Sequence, residues 1–202
     1  MEYYVNPFCE LLDREAEDES DKSVILVDGD DEQNIGEIGN KDNPIDINII
    51  FKNIIAQNGA IAFHFLSGLG AEKYPLYAAL VDTGCPWDLK NRDDLIFGLA
   101  WDNFDETGKQ TYFKFDKFDN MVAPDVGNFH AGVTGIMAGF DHFSLLKGAG
   151  AAEILKRTIQ GDFDNMTSRM MQFYFNVYPY GDEPKDAFFN LYGMKYGKKI
   201  IE

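Results

Sequence analysis

With 202 residues, 45% of them apolar and 14% aromatic, the chain has material for a well-buried core and is not disordered on average. No apolar run approaches the roughly 18–20 residues of a bilayer span, and the N-terminus (MEYYVNPFCE) turns acidic at once, unlike an export signal, so that if the protein leaves its cell something else is expected to carry it. The formal charge of −16 repels polyanions, and no basic stripe is visible to hold them, which disfavours a nucleic-acid partner.

The acidity is uneven. Residues 1–42 carry 14 acids and 3 bases, and residues 43–202 carry the other 20 acids and 15 bases. The expected organisation is an acidic N-terminal arm or linker at 1–42 followed by a domain at 43–202. Self-repulsion should leave 10–42 mobile or held by a partner such as a chaperone or carrier. Within the arm, 23–27 has strand character and Gly29 with Asp30 and Asp31 reads as a turn. Asp28, Asp30, Asp31 and Glu32 resemble cation ligands, but Gln33 stands where an EF-hand needs glycine. A solvated acidic loop is the better reading.

A buried helix is expected from Asn43 as cap and Pro44 in the first turn through Phe65, ended by Ser67-Gly68-Leu69-Gly70. A second helix covers 74–81, closed by Gly84, and 111–115 (TYFKF) alternates as a short strand. Three more helices follow. The first, Asn128 to about Phe140, is small and apolar, with Gly132, Gly135 and Gly139 allowing another backbone close. The second, 143–155, is capped by Asp141 and broken or tightly packed at Gly148 and Gly150, so that 127–150 forms a close-packed helical hairpin. The last begins at Asp182 as cap with Pro184 in its first turn. The aromatic run 173–180 (FYFNVYPY) reads as core and turn. The fold class is mainly α, an α+β domain with a small β element and no internal repeat.

Cys9 and Cys85 are distant and lack metal-ligand spacing, so they read as free thiols, with a single bridge as the alternative. The three histidines, His64, His130 and His142, come without HExxH or CxxC, and no metal or other cofactor is expected. The stretch GLGAEK lacks the ending of a phosphate loop, and no GxSxG elbow exists.

Four segments stand out: Pro86-Trp87-Asp88-Leu89-Lys90, Gly127-Asn128-Phe129-His130-Ala131-Gly132, Leu145-Leu146-Lys147-Gly148-Ala149-Gly150, and Gly181-Asp182-Glu183-Pro184-Lys185-Asp186. In this order they resemble the bacterial polymorphic toxin type 44 family. Its pattern runs Pro-Trp-Asp-aromatic-Lys, then Gly-Asn-Phe with Asn or His, then Leu-Leu-x-x-Ala-Gly, then Asp-Asp-Pro-x-Asp. The resemblance spans roughly 75–197. Leu89 replaces the usual aromatic, Glu183 replaces the common Asp, and Cys85 has no counterpart, which argues against it as a nucleophile. The resemblance implies a toxic domain at the end of a larger secreted protein. Such a domain is delivered by a carrier or secretion apparatus into a target bacterium and neutralised at home by a cognate immunity protein.

The residues must supply the chemistry. Asp88 reads as an acid or base with Lys90 as charge partner or substrate anchor beside Trp87, or as a cap reaching the amide of Asn91 in a loop whose Trp87 plugs the core. His130, oriented by Asn128 and beside Phe129, reads as a proton-transfer group or as a core histidine with Asn128 as N-cap. Asp182, Glu183 and Asp186 form an acidic group that can partner Asp88, since two carboxyls in unlike environments suit glycoside hydrolysis. The leading expectation is hydrolysis of a polymeric envelope substrate, peptidoglycan above all, with Trp87, Asn128 and Phe129 binding it. The alternatives are a metal-independent RNase with His130 as base and Lys90 steadying phosphate, and a non-enzymatic interaction module.

Overall fold

A computed structural model of the chain describes residues 2–12 and 22–202, among which are seven α-helices and two three-stranded sheets. The mainly α architecture read from the sequence holds, with a larger β component than the strand at 23–27 and the short element at 111–115. Packing divides the chain into Met1–Asn58 with Pro75–Gly127, and Gly59–Tyr74 with Asn128–Glu202.

In the first unit, β1 (Tyr3–Val5) runs parallel to β2 (Ser23–Asp28), which turns at Gly29 (φ 63°) into antiparallel β3 (Asp31–Glu37). The β-branched run of β2 buries Val24, Leu26 and Val27, while Asp28, Asp30, Asp31 and Glu32 face solvent at the hairpin tip. The described part of the acidic segment is thus built into a sheet. Residues 13–21, the most acidic stretch of the expected arm, lie outside the described residues.

The helix expected to start at Asn43 starts later. Ile45 donates its N–H to the Tyr112 carbonyl (2.9 Å) and Ile47 to that of Lys114 (3.0 Å), which keeps the chain extended beyond Pro44. The result is β4 (Ile45–Asp46), parallel to β5 (Phe113–Phe115), which pairs antiparallel with β6 (Phe118–Met121). Only then does α1 (Ile50–Ile61) form, followed by a π turn at Ala62–Leu66 that closes at Ser67 and by α2 (Lys73–Val81). The helix α3 (Ile96–Thr107) was not among the expected elements: Leu95 offers no side-chain cap at its start, although Ile96, Phe97 and Ala100 form a buried face and Gly108 (φ 68°) closes it. Its Phe97 stacks with Phe51 (5.9 Å) and Phe113 (5.2 Å), and Phe51 meets Phe115 (4.9 Å), forming the aromatic core of this unit.

The second unit is helical. It holds most of α4 (Ala123–Met137), then α5 (His142–Gln160), α6 (Met166–Tyr174) and α7 (Pro184–Ile201). Asp141 caps α5 as expected, accepting from the Ser144 N–H at 2.9 Å, but the helix runs unbroken through Gly148 and Gly150. Ile136, Leu146, Ala187 and Met194 form the core, with Leu145, Tyr180 and Leu191 packed on it. Of the glycines of 127–150, Gly132 finds its close partner in α7 rather than in α5. A Cβ on Gly132 would lie 2.1 Å from the Asn190 carbonyl oxygen, and one on Gly193 2.0 Å from that of Phe129. The two backbones therefore touch. The helix α6 escaped sequence reading because it is short and buries only Met166, with Met170, Met171 and Tyr174 left in water.

Gly193→Ala is expected to destabilise the protein by roughly 1–3 kcal/mol through overpacking. Gly148→Ala, on the same kind of helix with nothing within 4 Å of the new methyl, should gain about 0.5–1 kcal/mol. Urea unfolding midpoints of the two variants check the contrast.

Candidate functional site

The connection from α6 to α7 is the most constrained backbone of the second unit. Asn176 (φ 56°), Tyr180 (φ 64°) and Gly181 (φ 93°) all adopt left-handed conformations, and the Tyr178–Pro179 bond is cis. A bulky residue such as Tyr180 at positive φ costs about 1–3 kcal/mol and persists only where its surroundings hold it. Three contacts do so. Lys147 of α5 donates to Asn176 Oδ1 (2.7 Å) with its ammonium over the rings of Phe143 and Phe173. A Cβ on Gly150 would lie 2.0 Å from the Tyr180 carbonyl oxygen, so the α5 backbone abuts the loop. Arg169 of α6 donates to the Gly181 carbonyl at 3.1 Å.

This loop delivers two carboxyls into unlike surroundings. Glu183 is the N-cap residue of α7, so Asp182 is not the cap expected from sequence. Glu183 Oε1 accepts from Arg157 Nη2 at 2.7 Å and from Arg169 Nη2, and Arg157 also pairs with Glu153 and Asp162. Asp182 has a different setting. It is 6% exposed. Burial pushes its carboxyl up to about 7, against one hydrogen bond from the Glu183 N–H (2.8 Å) and with the charges of Asp186, Glu153 and Glu183 adding to the rise. A carboxyl that holds its proton near neutrality thus stands beside one locked in ion pairs, the division of labour that acid–base catalysis uses.

The other sequence-derived residues are placed as follows. Asp88 lies in the first unit, and its Oδ2 accepts from the Gly84 N–H (2.8 Å) and from Asn91 Nδ2 (2.5 Å), tying its own loop together. The Lys90 ammonium lies over the Trp101 ring, 5.6 Å from its centre. Trp87 is buried edge-on against Tyr77 at 6.3 Å, and Phe129 is buried against Tyr196 at 5.5 Å, so both rings are core in this arrangement. Asn128 is half-buried inside α4, five residues beyond its start, and so is not an N-cap. His130, in the same helix, is 0% exposed, and burial pushes its imidazole down to about 3, which keeps it neutral. Asp186 is half-buried in the first turn of α7. Cys9 and Cys85 are free thiols.

Sequence reading missed Arg157, Arg169, Glu153 and Asp162. A signal existed: the chain has only four arginines, Arg157 follows Glu153 by four residues, and both Arg157 and Arg169 precede the acidic motif. Among the described residues no group of three or more His, Cys, Asp or Glu is placed to hold a metal ion, and no helix is long and apolar enough to cross a membrane.

The family described as Bacterial toxin 44 has a model that matches residues 76–199. Among curated proteins and solved structures, none matches.

The raised Asp182 carboxyl has a stability consequence with a definite sign. The folded state holds the proton up to about 7, whereas the unfolded chain releases it near 3.8, so stability is full below 3.8 and is lost as pH rises to about 7. Asp182→Asn keeps the shape and the acceptor but removes the buried charge. It should match the parent near pH 4 and exceed it at pH 8 by up to about 4 kcal/mol, measured by urea denaturation at both pH values.

Proposed function

The chain belongs to the bacterial toxin 44 family, and from that premise we propose that it is an antibacterial effector domain that hydrolyses the glycan chains of the cell envelope, with Asp182 as the general acid. The toxin role follows from family membership. The choice of reaction rests on one observation: Asp182 is buried and proton-holding in a loop whose next residue, Glu183, is clamped by two arginines.

In this reading Asp182 gives its proton to the glycosidic oxygen as the C–O bond breaks, and Asp186 accepts the proton of the attacking water, whose hydroxyl ends on the sugar. Asp186 has the part because it is the acid whose charge acts most on Asp182 while lying outside the arginine clamp. Glu183, Arg157 and Arg169 are positioning residues that hold the loop. Both reacting carboxyls then come from the 182–186 group, and Asp88 and Lys90 serve their own loop. Against the RNase alternative, the His130 imidazole that would serve as base is fully buried with its basicity depressed, and the −16 charge opposes an RNA substrate. Delivery into a target bacterium and restraint by an immunity protein complete the reading, supported by the family.

Purified domain incubated with peptidoglycan sacculi should release new reducing ends. The rate should fall about tenfold per pH unit above 7, as Asp182 loses its proton. Asp182→Asn should lower the rate by roughly 10²–10⁴-fold while remaining folded by circular dichroism. Intact sacculi alongside degraded RNA would overturn the assignment, as would toxicity confined to cytoplasmic expression.

A further inference from the structure

The aromatic run 173–180 was expected to be core and turn, and it is a turn, but much of it is not core. Tyr174 is 76% exposed, Phe175 59% and Tyr178 46%. Large aromatic side chains left in water at consecutive turns forgo substantial burial, and such patches usually mark recognition surfaces. The backbone beneath them is held rather than loose. Phe175 donates its N–H to the Met171 carbonyl at 2.9 Å and Val177 to that of Gln172 at 2.8 Å, while Lys147 anchors Asn176 from α5. The rings of Tyr174 and Phe175 stand at 89° with centres 5.2 Å apart, and those of Tyr178 and Tyr180 at 82° with centres 6.2 Å apart, so each pair packs edge to face.

The patch and the acid share one loop. Asp182 donates its N–H to the Pro179 carbonyl at 3.3 Å, so Tyr178 and Asp182 ride on one short, hydrogen-bonded loop. Their electrostatic coupling agrees, since after burial the charge of Asp182 is the leading cause that raises the Tyr178 hydroxyl. The surface is amphipathic, combining π faces with phenolic hydroxyls. Apolar ring faces accept the C–H faces of pyranose rings, and hydroxyls hydrogen-bond sugar hydroxyls. Between 170 and 184 the sequence has no basic residue, and Lys147, which reaches the run from α5, is engaged by Asn176 and the Phe173 ring.

We propose that Tyr174, Phe175 and Tyr178 form a stacking platform that holds a chain of sugar rings beside the loop that carries Asp182. This deepens the hydrolase reading and rests on it. The platform supplies binding upstream of the reacting bond, so its loss weakens substrate capture more than chemistry.

The test uses the full chain carrying Asp182→Asn, titrated with chitotetraose and with peptide-free glycan strands from sacculi, followed by intrinsic fluorescence and calorimetry. Tyr174→Ala with Phe175→Ala, and separately Tyr178→Ala, should each weaken binding at least tenfold. Tyr174→Phe and Tyr178→Phe, which keep the ring, should restore most of it. All three side chains being exposed, circular dichroism should be unchanged. In the Asp182 background the same alanine changes should raise KM on sacculi with kcat largely kept. Undiminished glycan binding in the alanine variants overturns the platform even if the enzyme cleaves sacculi, and so does no glycan binding by Asp182→Asn. Glycan binding that depends on these rings, with no cleavage by the parent chain, would uphold the platform and sink the hydrolase reading instead.

Discussion

Two guanidinium groups from different helices, Arg157 of α5 and Arg169 of α6, converge on one oxygen of Glu183 at the start of α7. Arg169 is largely removed from water, and a buried cation without a counter-charge is strongly destabilising. The loop ahead of α7 must therefore deliver Glu183 to that point, and the left-handed residues Asn176, Tyr180 and Gly181 are how the backbone gets there. Once Glu183 is fixed, its neighbour Asp182 is turned inward, away from the water that would ionise it, and close to Asp186 and Glu153. The unusual carboxyl is thus a by-product of satisfying the arginines.

Backbone contact does comparable work elsewhere in the second unit. Where α4 meets α7 through Gly132 and Gly193, and where α5 meets the loop through Gly150, side chains are absent because main-chain atoms occupy their place. These contacts leave little room for relaxation, which is why a single methyl matters there. The motif glycines of the sequence are architectural in this sense: they set separations that the arginine clamp and the loop then depend on.

How much was legible beforehand varies with the kind of interaction involved. The strand of SVILVD, the turn at Gly29, the Asp141 cap and the final helix could be read because each is a local decision of a few adjacent residues. The strand at Ile45–Asp46 could not, since it exists only through hydrogen bonds to Tyr112 and Lys114, far along the chain. Helix α6 was hidden for a different reason: it is short, and of its apolar residues only Met166 is buried while Met170, Met171 and Tyr174 stay in water. At the candidate site the acids Asp182, Glu183 and Asp186 were legible from their spacing, but their unlike environments were not. Those come from Arg157, Arg169 and Glu153, and no local pattern joins these to residue 183.

The buried histidine and the buried aspartic acid have a joint effect on the proton inventory of folding. Between about 4 and 6.5 the unfolded chain carries its proton on the His130 imidazole, and the folded chain carries one on the Asp182 carboxyl instead. Each group alone would tilt stability with acidity, in opposite directions, yet the number of protons bound is the same in both states. Folding across that window therefore relocates a proton rather than taking one up or releasing it. For this pair, mild acidification of the surroundings leaves the balance between folded and unfolded chain where it was.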